Sequence, residues 1–258
     1  VVRRYPSGMD SPQLHAVGFD APSLDQLVAS AFGAGVRGVD TAPGFDLVGT
    51  YTDPSGARLC FVKREGQGVS TTGALASESR YRAQVVRFSD LLARVALYGT
   101  HAPGPLLAQF VALVDDPVAY PQHELRAGGQ YTVIESLRVA ALAIEVTVYD
   151  DAAAFEASPE AAPGGDLRIP ADALISPSLI ALQAAAIPPA EASPALLMGV
   201  EVLSVETRRN TLTGVEFQYV VGRSAVEISC AIPAEVPVSV GNVVHGTWFA
   251  TCSSGLWD

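Results

Sequence analysis

Residues 13–63 read QLHAVGFDA (Gln13–Ala21), PSLDQLVASAFGAG (Pro22–Gly35), VRGVDT (Val36–Thr41), FDLVGTYT (Phe45–Thr52), DPSG (Asp53–Gly56) and ARLCFVK (Ala57–Lys63). The order of patterns in this stretch sets the fold class. The alternation in Gln13–Ala21 predicts a strand. Ser23 is placed to cap a helix, with Gln26 three residues on. Leu24, Leu27, Val28, Ala31 and Phe32 share one helical face, and Gly33 and Gly35 end it. Val36–Thr41 and Phe45–Thr52 read as strands. Asp53-Pro54-Ser55-Gly56 is a tight turn, and Ala57–Lys63 returns as the hairpin partner. The predicted order is βαβββ.

Outward from there the chain stays rich in strands. Residues 65–80 are small and polar and read as a loop. Arg82–Tyr98 holds a strand at Val85–Phe88 and a run, LLARVALY, that fits a helical turn or a strand. Pro103-Gly104-Pro105 is a break. Gln109–Val114 is a buried strand closed by Asp115-Asp116-Pro117. Tyr131–Tyr149 carries two strands, and Asp151–Ala157 a short helix. Ser178–Ala186 is a second short helix, and the clustered prolines of Ile187–Pro194 mark a linker. Five strand-like segments follow: Leu197–Glu206, Val215–Val221, Ala225–Ile232, Val236–Val240 and Val243–Thr251. No period repeats along the chain. The expected fold is therefore α+β and predominantly antiparallel. A βαβββ module covers residues 1–70, a β-rich middle covers 80–186, and a small C-terminal barrel covers 195–258.

Composition narrows the function classes. Of 258 residues, 49% are hydrophobic and 17% charged, which suits a packed core rather than a disordered chain. The formal net charge is −11, which repels phosphate backbones and anionic lipid and disfavours nucleic acid as a partner. Arg3 and Arg4 are followed by no apolar stretch, so a signal peptide is not expected, and Met9 is a candidate start. No apolar run is long enough for a membrane helix. Cys60, Cys230 and Cys252 are sparse and form no CxxC. They fit reduced, packed thiols and a cytoplasmic setting better than disulfides or structural zinc. A mean hydropathy of +0.28 leaves room for a homo-oligomer interface.

Residues 13–63 resemble half of a vicinal-oxygen-chelate protein, the superfamily of glyoxalases and extradiol dioxygenases. The likeness rests on the element order, on a histidine in the first strand (His15), and on a hairpin reading Asp53-Pro54-Ser55-Gly56-Ala57-Arg58-Leu59. The resemblance implies metal ligands at His15 and at the position after Leu59. That position holds Cys60 where the family has glutamate. A second such hairpin is missing, since Asp116-Pro117-Val118-Ala119 lacks the glycine. A divalent metal held by His15 and Cys60 is thus one expectation, with no other cofactor implied. Residues 196–251 resemble an OB-fold or similar small barrel, whose aromatics Phe217, Tyr219, Trp248 and Phe249 imply ligand or oligonucleotide binding, chiefly through Tyr219 and Trp248.

No catalytic constellation is legible elsewhere. His15 suits a core or interface position on a strand, His245 a half-exposed position on the barrel, and His101 and His123 suit loops. Ser253-Ser254-Gly255 is not a nucleophile elbow. Asp115 and Asp116, if on a strand, point to opposite faces. There is no phosphate-cradling glycine loop. Trp257 is expected to pack on the barrel or on another subunit. The sequence therefore reads as a soluble binding or structural protein without a readable active site, and leans away from enzymes. The alternatives are a metal-dependent enzyme or binder of the vicinal-oxygen-chelate kind, and oligonucleotide or oligosaccharide binding by the barrel.

Overall fold

The computed structural model describes residues 11–99, 104–126, 128–164 and 166–258; Arg3, Arg4, Met9 and His101 lie outside them. The first part comprises α1 (Pro12–His15), α2 (Leu24–Gly35), β1 (Arg37–Gly38), β2 (Leu47–Thr52), β3 (Ala57–Lys63) and β4 (Ser70–Leu75). Strands β1 to β4 make a four-stranded antiparallel sheet in chain order. Then come β5 (Arg80–Arg87), β6 (Leu92–Tyr98), β7 (Leu106–Val114), β8 (Thr132–Tyr149), α3 (Ala152–Glu156), β9 (Leu174–Ile175) and α4 (Pro177–Gln183). The last strands are β10 (Ala195–Arg209), β11 (Glu216–Arg223), β12 (Glu227–Pro233) and β13 (Val243–Ser253). β5 to β13 form one nine-stranded, mostly antiparallel sheet. The protein is β-rich, as the sequence predicts.

Two of the predicted elements change type. Gln13–Ala21 is not a strand. Pro12 opens a one-turn helix, and Leu14, Ala16, Val17 and Phe19 are all buried rather than alternating. Gly18 turns the chain at φ +72°, where an added Cβ would lie 3.0 Å from the Val215 carbonyl oxygen, a conformation that suits glycine. The order before the hairpin is therefore ααβ, not βαβ. Residues 65–80 are not all loop, because Ser70–Leu75 pairs with β3 as β4. Its small residues are explained at Gly73, whose Cβ position is 3.0 Å from the Gln13 carbonyl oxygen. The helix α2 forms as expected. Ser23 Oγ accepts the Gln26 N–H at 3.3 Å, and Leu27 and Ala31 are buried.

Two more segments depart from expectation. Tyr131–Tyr149 is one strand, the 18-residue β8, with no turn in it. Val236–Val240 is not a strand. Pro233 and Pro237 withhold amide donors there, and Val236 instead bonds back to the Pro233 carbonyl.

The nine-stranded sheet contains two closed circuits of pairing. β10, β11, β12, β8 and β13 pair in turn and return to β10. β8, β5, β6, β7 and β13 do the same. The scheme is a repeat that the residues hide. In each half three antiparallel strands precede a fourth, β8 or β13. That fourth strand pairs antiparallel with the first of its own set and parallel with the third of the other set. The hydrogen-bonded ladder thus runs across residues 187–194.

One hydrophobic core fills both circuits, with Val139, Ala141, Trp248, Ala250, Phe110 and Ile228 among its members. A second lies between the small sheet and the outer face of β8, β11 and β12, joining Leu59 and Phe61 to Leu142, Phe217 and Tyr219. Successive β8 residues therefore enter different cores, which is why Val139–Ala143 is a continuous apolar run. The three cysteines are free and buried. Among the described residues no helix is long and apolar enough to cross a membrane.

Candidate functional site

An apolar concavity lies under α4. Ser176 Oγ accepts the Val111 N–H at 3.2 Å and ties the helix start to β7. Leu179 is buried against Phe88 and Val111. At the other end the helix stops at Ala185, which has φ 52°. The Ala186 N–H reaches the Ala181 carbonyl and the Ala185 N–H the Leu182 carbonyl, the bonding of a Schellman stop that usually carries glycine. Leucine side chains at 125, 179 and 182 and the Ile187–Pro189 turn line a groove of about 630 Å³. That is within the range of small-molecule sites. Shallower hollows continue it past Gln122, His123 and Glu124.

The charges in the groove are positive. Arg94, on the outward phase of β6, lines it together with Arg126 and Gln183. Among the described residues no hydrogen bond or ion pair engages Arg94. Among the described residues Arg126 makes an ion pair only with Glu124, at 3.9 Å, with both side chains mostly exposed. In a chain of net charge −11, two loosely held guanidiniums beside an apolar floor suit an anionic group attached to an apolar body.

His15 lies on α1, not on a strand. Its Nδ1 is 2.6 Å from Asp20 Oδ2 and its Nε2 is 2.6 Å from Glu235 Oε1. The two carboxylates flank opposite edges of the ring, so they share no point where an ion would sit. The hydrogen bond to Asp20 first, and then Glu235, raise the His15 pKa to about 9, against burial. The stability from this charged imidazole is complete below the ordinary histidine value and is lost as pH rises through about 9. Asp116, pushed up to about 7 by burial, and the thiols of Cys60, Cys230 and Cys252, pushed up by burial, add slopes of their own around that range, so the His15 part is read as a difference between parent and variant. Between about pH 7.5 and 9.5, His15 should contribute on the order of 1 kcal/mol to the fall in unfolding free energy, after discounting the exposed Glu235. In a His15→Gln variant the fall should be smaller by that amount in urea titrations, and an unchanged slope rejects the assignment.

Cys60 faces away from α1. Leu59 and Phe61 enter the core with Leu14, while Arg58, Cys60 and Val62 occupy the other phase of β3. Cys60 Sγ lies 3.8 Å from Thr50 Oγ1, and burial raises its pKa well above the usual thiol value. The structure thus does not bring His15 and Cys60 together. Among the described residues no three His, Cys, Asp or Glu side chains group as metal ligands.

Tyr219 and Trp248 are also not a surface pair. Tyr219 is in the inter-sheet core with its hydroxyl 2.9 Å from Ser229 Oγ. Trp248 is fully buried inside the circuits and donates Nε1–H to the Met198 carbonyl at 3.0 Å. His245 is more enclosed than expected, stacked on Phe155 at 4.6 Å, with burial lowering its pKa.

Sequence reasoning missed a buried charge cluster. Asp115 and Asp116 lie just past β7, so strand alternation does not separate them. They are 3% and 0% exposed. Arg58, 1% exposed, donates Nη1–H to Asp115 at 2.8 Å and Nη2–H to Asp258 at 2.5 Å. Asp116 accepts the Ser254 N–H at 2.8 Å and Oγ–H at 2.5 Å. Trp257 is buried beside Val48 and Val62, and its Nε1–H bonds the Asp115 carbonyl at 2.7 Å. Burial raises the pKa of both aspartates, and the charge of Asp115 adds to the effect on Asp116. The available signal was Arg58, an arginine inside the apolar strand ARLCFVK, which requires a buried counter-ion.

No family model, curated protein or solved structure matches this chain. The functional reading therefore rests on the geometry above.

Proposed function

We propose that this protein is a non-enzymatic binder of a small molecule with an apolar body and an anionic end, seated in the groove under α4. The observation that carries this reading is the groove of about 630 Å³ with Arg94 and Arg126 beside its leucine and proline lining. Apolar lining with a few convergent polar groups is the usual make-up of small-molecule sites. A divalent metal at His15 and Cys60 has weaker support, because both ring nitrogens of His15 are engaged by carboxylates and Cys60 lies on the far phase of β3. Oligonucleotide stacking on Tyr219 and Trp248 has weaker support too, because both rings are buried.

The test is a calorimetric titration with straight-chain carboxylates and the matching alcohols. The carboxylates should bind roughly tenfold or more tightly than the alcohols, the worth of one charge-assisted hydrogen bond. Arg94→Ala should erase most of that preference. Leu182→Gln should weaken both series, by disrupting the apolar floor. Equal affinity for acid and alcohol, or no heat from either, removes the proposal.

A further inference from the structure

A second pocket has no lining residue in common with the groove and a different chemistry. It measures about 290 Å³ and opens between β5, β8, β10 and the segment after β13, with Arg80, Arg138, Arg208, Tyr219 and Ser77 in its wall. Glu78 and Asp258 line it as well.

Its cations are unusually arranged. Arg80 and Arg138 are direct cross-strand partners in the β5–β8 ladder. Like charges so placed destabilise a sheet unless an anion lies between them. Arg138 finds one in Asp258, whose other carboxylate oxygen accepts from Arg58 Nη2. Among the described residues Arg80 has no ion pair. Arg208 is already oriented: its guanidinium lies 3.6 Å over the Tyr219 ring, Nη2 is 2.8 Å from Glu206, and Nη1 donates to the Ser55 carbonyl at 3.2 Å. The chain is led over Arg138 by Gly255. It has φ +94°, and its Cβ position would lie 2.5 Å from Arg138 Nη1. Asp258 thus bridges two guanidiniums in the manner of an oxyanion.

We propose that this pocket binds a phosphate group and that the Asp258 carboxylate is its built-in competitor. A phosphate in that position spans Arg138 and Arg80, with Arg208 as the third donor. A dianion matches two facing guanidiniums where one carboxylate leaves Arg80 unanswered, and guanidinium forks suit phosphate geometry. Release of Asp258 strands no buried cation, because Arg58 keeps Asp115 at 2.8 Å.

The experiment titrates inorganic phosphate and phenyl phosphate into the full chain at constant ionic strength set with chloride. Asp258→Asn should bind roughly tenfold more tightly than the unaltered chain, by removing one charged competitor. Arg80→Gln in either background should lose roughly tenfold. Tighter binding of the inorganic ion identifies a free anion as ligand, and tighter binding of the ester identifies a phosphorylated molecule. Phosphate heats that are absent from both chains, or that survive Arg80→Gln unchanged, overturn the proposal. Should Asp258→Asn fail to fold, the surface variant Arg80→Gln against the unaltered chain decides alone, and equal affinities overturn it.

Discussion

Replacing Arg58 with methionine should destabilise the protein by roughly 3–5 kcal/mol, the cost of removing one partner of a buried ion pair. The reason is what remains behind. Asp115 is 3% exposed and would keep its carboxylate with no cation in contact. Asp258 would lose one of its two guanidiniums. The same cluster joins three parts of the chain, since Arg58 is on β3, Asp115 follows β7, and Asp258 and Trp257 follow β13. Thermal unfolding reads the effect, at about 2–4 °C per kcal/mol for a chain of this size. The double variant Arg58→Met with Asp115→Leu should recover much of the loss, because an apolar pair carries no desolvation penalty. A single variant within 1 kcal/mol of the parent, by the same measurement, shows that the cluster is not holding the small sheet in place.

Trp248→Ala should cost a similar amount, about 3–5 kcal/mol, as large-to-small changes at buried aromatics do. Trp248 fills the shared core opposite Ala143 on one side and Leu196 on the other. The alanines of β8 leave room for the indole, and neither neighbour is large enough to close the gap it would leave. Trp248→Phe separates volume from polarity, because it keeps most of the ring and loses only the bond to the Met198 carbonyl at 3.0 Å. It should lie about 1–3 kcal/mol below the parent, the cost of an unsatisfied buried acceptor plus a smaller void. Chemical denaturation of both variants checks the order. Equal losses, or binding defects without stability loss, would return Trp248 to the role of a ligand platform.

Much of the local structure was legible because it is fixed by local chemistry. Ser23 caps α2 through Gln26, Asp53 accepts the Ser55 N–H at 2.9 Å in the hairpin turn, and Asp151 accepts the Ala154 N–H at 2.7 Å at the start of α3. The misread segments depend on distant partners. Gln13–Ala21 alternates in sequence, yet it is wedged between two sheets, so Leu14, Ala16, Val17 and Phe19 are all buried. The middle and the tail look separable because prolines 188, 189 and 194 stand between them, but β8 pairs with both β12 and β13. Parallel partners far apart in sequence leave no local trace.

The candidate sites were less legible still. Arg94 is an ordinary outward strand residue until α4 is laid beside it. Arg80 and Arg138 become neighbours only through the β5–β8 register. His15 and Cys60 were visible as residue types, but the phase of β3 sends them to opposite sides.

The exchange of fourth strands has a consequence for how the chain is made. Each ring borrows its closing member from the other repeat, and β13 belongs to both rings. Until residues 243–253 have left the ribosome, β7 and β10 both present an unpaired flank, and neither ring encloses its apolar filling. Closure is therefore a single late event that completes two interiors together. Such long-range closure is slow, and it leaves strand edges exposed for other chains to capture.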